Sequence, residues 1–271
     1  MRTLTGRRAA SQILPQAKAF GASLAGLAAV SDPQQAFDIS PAPRPGGAGA
    51  GGAAAGSDES PAAAPPRWPE GARSVLVVAL AHPDDKPELD WWFGHRDPPG
   101  NRILAGIVGR LCEWLAASGE IRTVHLPYQI EKGGIYLKDA GVLAGLGCIG
   151  RNNLLVTPEY GPRVRLRALT LDRRLPPSGP IRFDPCRACD DRCRRACPQD
   201  AFGRPPLKAA ARGRRRLPVR TGAYERAACN RQMEMDAAAA LAKTVAGFDE
   251  ALQMIRYCRR CELSCPVGRE A

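Results

Sequence analysis

The sequence predicts a mixed helix-and-strand protein built in two parts, and three stretches predict it. Ser74-Val-Leu-Val-Val-Ala-Leu80 is a short β-branched apolar run bounded by turn formers, which reads as a buried central strand. Arg102 to Ser118 repeats apolar residues at helical spacing. Downstream come two cysteine runs, Cys186-Arg-Ala-Cys189-Asp-Asp-Arg-Cys193-Arg-Arg-Ala-Cys197-Pro198 and Cys258-Arg-Arg-Cys261-Glu-Leu-Ser-Cys265-Pro266, which hold seven of the ten cysteines. A length of 271 residues with 44% hydrophobic content is ample for a core.

Several thiolates within one or two turns of chain, closed by Cys-Pro, suit a cubane of iron and sulfide, because every iron takes one protein sulfur and the loop must wrap the cluster. In two-cluster ferredoxin modules the last cysteine of each run ligates the other cluster, so two runs imply two [4Fe-4S] clusters and eight ligands. Cys229, between the runs, is the natural eighth. The crossover assigns Cys186, Cys189, Cys193 and Cys265 to one cluster and Cys197, Cys229, Cys258 and Cys261 to the other. Structural zinc also uses C-x2-C pairs, but two tetrahedral sites do not require a compact run of four cysteines ending in proline. Disulfides need an oxidising compartment. The second gap of the first run holds three residues, one more than the usual ferredoxin run.

From the front, Arg7-Arg8 and the apolar stretch from Ala19 to Val30 faintly resemble a twin-arginine signal, but Pro15, Gln16 and Lys18 interrupt it, and an amphipathic helix from about Ala9 to Val30 is expected. No run of eighteen apolar residues exists, so no transmembrane helix and a cytoplasmic location are expected. Residues 42–66, rich in Ala, Gly and Pro, read as a disordered insertion. The formal charge of +12 invites a nucleic-acid reading, yet residues 182–220 hold twelve basic against four acidic residues, so +8 of it surrounds the first cysteine run. Part of that excess offsets the charge of thiolates and clusters. The tract from Arg212 to Arg220 could contact phosphate or an acidic redox partner, and a solvated loop is the simpler reading.

After the first strand comes His82-Pro83-Asp84-Asp85, which resembles the metal-binding A-H-P-D-D motif of zinc-dependent deacetylases over about ten residues, although Lys86 stands where that family has Glu. Trp91-Trp92-Phe93 could cover a planar cofactor or simply pack. In the helix, Ile103, Leu104, Ile107, Val108, Leu111, Cys112 and Leu115 form one broad face, and Gly119 follows its end. Gly145, Gly147 and Gly150 spell G-x-G-x-x-G, but Lys138 to Ala144 reads as a helix before it and Leu154 to Thr157 as a strand after it. That order is the reverse of a dinucleotide fingerprint. The glycines imply a close backbone approach, to another element or to a ligand. Val164 to Leu171 is strand-like.

From Pro69-Glu-Gly-Ala-Arg-Ser-Val-Leu-Val-Val-Ala-Leu80, through Ala144-Gly-Leu-Gly-Cys-Ile-Gly-Arg-Asn-Asn153, to the double cysteine module, the chain resembles the epoxyqueuosine reductases and, more distantly, the reductive dehalogenases. The resemblance implies an α+β fold: a nitroreductase-like domain of corrinoid-binding type followed by a bacterial ferredoxin-like double [4Fe-4S] domain. It also implies reductive cleavage at a cobalt centre, with a side chain supplying the proton. Three departures stand out. Where the family has its catalytic aspartate, aligning Glu131-Lys132 puts His125, whose ring could be a general acid or a satisfied histidine. Gly133-Gly134 lengthen the following stretch, and six residues follow Cys265, without the helical extension that helps the queuosine enzymes hold tRNA. Cys148 stands where the relatives usually have an aromatic residue, and reads as core.

The expected organisation is an N-terminal helical segment (1–41), the insertion (42–66), a cofactor domain (67–175) and a cluster domain (176–271). The expected function is an iron-sulfur oxidoreductase passing electrons from a low-potential ferredoxin- or flavodoxin-type donor through both clusters to cobalamin, or less readily to FMN. The substrate would be a small molecule or a corrinoid itself, with tRNA doubtful. His125, Glu131 and Lys132 are the catalytic candidates, and Gly145, Gly147, Gly150, Asn152 and Asn153 the cofactor-binding ones. The alternative is a non-catalytic electron carrier or corrinoid-handling protein.

Overall fold

The computed structural model describes residues 6–30, 68–94, 96–129, 132–202, 224–245 and 248–269. The 42–66 tract, the basic tract from Arg212 to Arg220 and Glu131 lie outside the described residues. Helix α1 (Gly6–Ala19) gives way to a strand, β1 (Leu24–Ala29), where helix was expected to continue to Val30. Gly21, at φ +103°, makes the turn. All of β1 then pairs antiparallel with β2 (Ser74–Ala81), from Leu24 opposite Ala79 to Ala29 opposite Ser74. That pairing, with a partner far along the chain, outweighs the helix preference of its alanines and leucines.

A 3-10 turn at Pro87–Asp90 and the short strand β3 (Trp92–Phe93) lead into α2 (Pro99–Ala117). Pro99 starts this helix, where a missing N–H costs nothing, and Gly119 at φ +68° ends it. There follow β4 (Thr123–His125), α3 (Leu137–Leu143), the two-residue strands β5 (Cys148–Ile149) and β6 (Leu155–Val156), and β7 (Val164–Leu171). The cysteine-bearing half holds α4 (Arg192–Arg195), α5 (Arg226–Ala238), β8 (Leu241–Lys243), β9 (Leu252–Ile255) and α6 (Arg260–Leu263).

The main sheet runs β1-β2-β7-β4, antiparallel throughout. Its two central strands are buried on both faces, which is why β2 reads as an unbroken apolar run. On one face Leu76, Val78, Leu169 and Leu171 meet Ile13 of α1 and Leu104, Ile107 and Leu111 of α2. On the other, Val75, Val77 and Ala168 meet Ala140 and Val142 of α3. Each fully buried leucine or isoleucine contributes about 1.5–3 kcal/mol. The α2 stripe is narrower than the sequence suggested, since Ile103 is 46% exposed and Cys112 is only half-buried.

Gly26 explains how close α3 can come. A Cβ there would lie 2.2 Å from the Ala144 carbonyl oxygen, so only glycine lets the end of α3 rest on β1. The free edge of β1 is closed by Ser178, whose N–H donates to the Leu27 carbonyl (2.8 Å) and whose Oγ accepts the Leu27 N–H (3.0 Å). Among the described residues, no helix is long and apolar enough to cross a membrane.

Candidate functional site

The short turns α4 and α6 pack together and carry Cys193 and Cys261, each followed four residues later by another cysteine. Cys186, Cys189, Cys193 and Cys265 line one small cavity, closed by Arg151, Asn152 and Val156. The last cysteine of the second run thus joins three from the first. Burial, then the neighbouring Cys265, Cys186 and Cys189, push the Cys193 thiol up to about 11. Burial raises Cys186 and Cys265 as well. Cys229, Cys258 and Cys261 form a second group: Cys261 is raised by burial and then by Glu262, Cys258 and Cys229, and Cys258 by burial and then by Asp236 and Cys229. Asp236 also accepts the Cys258 N–H at 2.6 Å. The Sγ of Cys197, the remaining expected ligand, accepts the Ala201 N–H at 3.2 Å.

All ten cysteines are free. Among the described residues, no three His, Cys, Asp or Glu side chains converge as ligands of a single ion do. Four thiols spread around a shared cavity suit a polynuclear group better than one tetrahedral ion.

The glycine block lies between the sheet and the cysteines, and packing accounts for its glycines. A Cβ on Gly147 would lie 2.0 Å from the Val156 carbonyl oxygen, and one on Gly145 2.8 Å from that of Ser178. One on Gly150 would press on Val156 and approach the Cys186 Sγ to 3.6 Å. The next residues reach both cysteine runs. Arg151 donates to the Cys189 carbonyl (3.3 Å) and pairs with Asp191, and Asn152 donates to the Cys261 carbonyl at 3.4 Å. Asn153, at φ +57°, accepts from Lys138 Nζ through its carbonyl (2.5 Å). Cys148 is buried beside the same cavity, and burial followed by Cys186, Asp184 and Cys265 pushes its thiol up to about 12.

A second crossing joins the halves. Gly161 and Gly268 both have positive φ, and a Cβ on Gly161 would meet the Val267 carbonyl oxygen at 2.0 Å. Arg163, 4% exposed, donates to the carbonyls of Cys265 (3.1 Å) and Val267 (2.6 Å).

The larger cavity has a volume of about 370 Å³ and opens to solvent, with about 1270 Å³ of atom-free space including its mouth. The sheet side supplies His82, Asp90, Trp92, Tyr128, Arg165 and Arg167, and the cysteine side Arg226, Tyr257, Arg259 and Glu262. His82 Nδ1 lies 2.8 and 3.0 Å from the two Asp90 oxygens. Asp90 is also paired with Arg165 and Arg259. Burial alone would raise the Asp90 carboxyl, but the His82 hydrogen bond and the charges of His82, Arg165 and Arg259 outweigh it and hold its pKa below the ordinary value. Arg259 bonds Glu262 as well (Nε–Oε1 3.0 Å) and donates to the His82 carbonyl at 2.7 Å. Arg259 and Glu262 flank Cys258 and Cys261 in sequence, so one network spans the cavity wall and the second cysteine run. Among the described residues, two buried atoms in it lack hydrogen-bond partners, His82 Nε2 (3.7 Å from Glu262 Oε1) and Arg165 Nε.

Of the expected catalytic residues, the two that are described, His125 and Lys132, do not line this cavity. His125 is exposed on the edge strand β4, outside the cavity lining, and its partial burial followed by the charge of Arg167 lowers its pKa. Lys132 is exposed and also outside the lining. Of the five expected cofactor residues, none lines the larger cavity, and Asn152 lines the cysteine cavity. Among the described residues, the histidine that lines the larger cavity is His82. Its position after β2 was noticed in the sequence, but the deacetylase likeness pointed to the wrong partners: Asp84 is taken by Arg269 (2.5 Å), and His82 bonds Asp90.

No family model matches the chain. Tetrachloroethene reductive dehalogenase of Desulfitobacterium hafniense is 44% identical over 64 residues, 22% of this chain and 11% of that protein. The enzyme of the same name from Sulfurospirillum multivorans is 39% identical over 67 residues, 24% and 13% of the two chains. Among solved structures, epoxyqueuosine reductase from Streptococcus thermophilus matches with a TM-score of 0.59 at 19% identity, over 96% of this chain and 66% of that one. A catabolic reductive dehalogenase in complex with 3-bromo-4-hydroxybenzoic acid matches with a TM-score of 0.63 at 18% identity, over 99% and 33%. The chain therefore has the fold of the epoxyqueuosine reductases and reductive dehalogenases, as its sequence led one to expect, and spans just under two thirds of the former and a third of the latter.

Proposed function

We propose that the chain is an iron-sulfur reductase in which 176–271 holds two [4Fe-4S] clusters and 67–175 forms, with it, the cavity where reduction takes place. Cys186, Cys189, Cys193 and Cys265 would hold one cluster, and Cys197, Cys229, Cys258 and Cys261 the other. The observation that carries this reading is the cavity lined by three cysteines of the first run and one of the second, the crossover that two-cluster modules require. Electrons would come from a low-potential ferredoxin- or flavodoxin-type donor. The cytoplasm is the fitting compartment, since it keeps ten cysteines reduced.

A corrinoid fits the larger cavity by its chemistry. Its fringe of amides would meet the polar side chains that line the cavity, and Trp92 and Tyr257, whose rings stand 5.8 Å apart edge to face, offer apolar walls. When bound, it would supply a low-potential cobalt centre for reductive bond cleavage, and one related structure is described in terms of B12-dependent dehalogenation. FMN is the second candidate. In this reading Asp90 fixes the His82 ring through Nδ1, leaving Nε2 to give or take a proton. Arg259 holds His82 and Asp90 against the cluster-bearing loop. A non-catalytic electron carrier would not need such a cavity, and that argues against the alternative.

The test is anaerobic purification with iron and sulfide analysis, followed by separate titration with cob(II)alamin and FMN under electron paramagnetic resonance and visible spectroscopy. The reading expects about eight irons per chain, four to each cubane, and a perturbed spectrum for one of the two cofactors. Eight irons with neither cofactor bound would leave the electron carrier. Zinc in place of iron would overturn the reading.

A further inference from the structure

Arg167 lines this cavity and has no ion-pair partner among the described residues. It sits on β7 two residues beyond Arg165, and is 7% exposed. Arg165 is spent on Asp90 and on Asn101 Oδ1 (2.9 Å), and Arg259 on Asp90 and Glu262. Arg167 has no carboxylate within ion-pair distance among the described residues. Its Nη1 donates to the Leu166 carbonyl at 3.2 Å, and its guanidinium lies 4.7 Å from the centre of the Tyr128 ring. Among the described residues these contacts use one of its five N–H groups, and Asp97 acts on its charge only from beyond ion-pair distance. Buried charges are normally paired, and a guanidinium cannot escape by losing its proton. The side chain lines the cavity, as do Arg165 and, from α5, Arg226, which donates to the Tyr224 hydroxyl at 3.3 Å.

We propose that Arg167 is the centre of an oxyanion subsite, so that the molecule seated in the cavity carries a carboxylate or a phosphodiester held against this guanidinium. The planar fork of arginine accepts either group through two parallel N–H···O bonds. Two sources offer that chemistry: a small carboxylate ligand lying on the aromatic wall, or the phosphodiester in the nucleotide tail of a corrinoid. The first stands on the cavity alone. The second rests on the reductase reading.

The experiment uses the full, iron-loaded chain and two matched pairs of probes. Benzoate is compared with benzamide by isothermal titration calorimetry, and cob(II)alamin with cob(II)inamide, which lacks the phosphodiester, by electron paramagnetic resonance. Each pair is repeated on Arg167→Gln. A carboxylate source gives benzoate a preference of roughly ten- to a hundredfold, the range of a hydrogen-bonded charge, and Arg167→Gln abolishes it. A phosphodiester source gives the same pattern in the cobalamin pair. Absence of a preference in both pairs overturns the proposal, as does a preference that survives in Arg167→Gln. Should that variant fail to retain iron, Arg167→Lys decides: it keeps the charge but loses the fork, and an unchanged preference counts against the subsite. Low iron in the wild-type chain would be a failure of the reductase reading, whereas loss of both preferences in an iron-replete chain is a failure of the subsite.

Discussion

The two halves of this molecule are held together by different physics. The sheet half has two continuous apolar clusters, one on each face of β2 and β7, and no residue of either lies beyond Leu175. In the cysteine half the buried apolar side chains are few, Phe202 and Met254 the largest among those described, and its helices α4 and α6 are four residues long. Its order comes from hydrogen bonds to the sheet half and from thiols gathered around a cavity. A region without a core of its own needs another organising centre, and metal binding can supply it as folding free energy. On the proposed reading the cysteine half would be completed by its clusters, whereas the sheet half carries its own core.

The largest break in that comparison is predicted for Cys265→Ser. Cys265 is buried, belongs to the second run and lines the cavity of the first. Its loss should remove one cluster outright, taking iron from about eight to about four per chain or lower, while the sheet keeps its circular dichroism. Iron retained at the wild-type level would refute its ligand role.

Next in size is Asp90→Asn, at the junction. Removing one partner of a buried ion network costs about 3–5 kcal/mol, read by urea unfolding at pH 7. The folded pKa of Asp90 lies below its unfolded value of 3.8. Its stabilisation is therefore fully present above pH 3.8 and is lost as pH falls through the folded pKa. The gap between wild type and Asp90→Asn should close on that acid side. A gap independent of pH from 7 down to 2 would contradict the assignment.

Gly26→Ala sharpens the sheet side and has the smallest effect. The added carbon would have to push α3 off β1, at about 1–3 kcal/mol, and iron content should not change. Loss of iron in this variant would mean that the halves are less separable than their cores imply.

Much of the sheet was legible before the structure, because β2, β7, α2 and α3 carry strong local signals, and the two cysteine runs stand out by their spacing. What was not legible depended on contacts distant in sequence. β1 is made of small residues with good helix propensity, and only its ladder with β2 makes it a strand. The glycines of the block implied a close approach, to another element or to a ligand, and sequence could not say that Val156 and Ser178 were among what approached. His125 was favoured by alignment to a motif. His82 needed Asp90, Arg165 and Arg259, from three separate elements, before it stood out.

If the proposed clusters order the cysteine half, hydrogen exchange will detect it. Amide protection would be measured by mass spectrometry on the iron-loaded chain and on the same chain stripped of iron under anaerobic conditions. Peptides from residues 186–200 and 226–265 should lose most of their protection on stripping, while those covering β1, β2 and β7 keep theirs. Equal protection of the cysteine half with and without iron would contradict it.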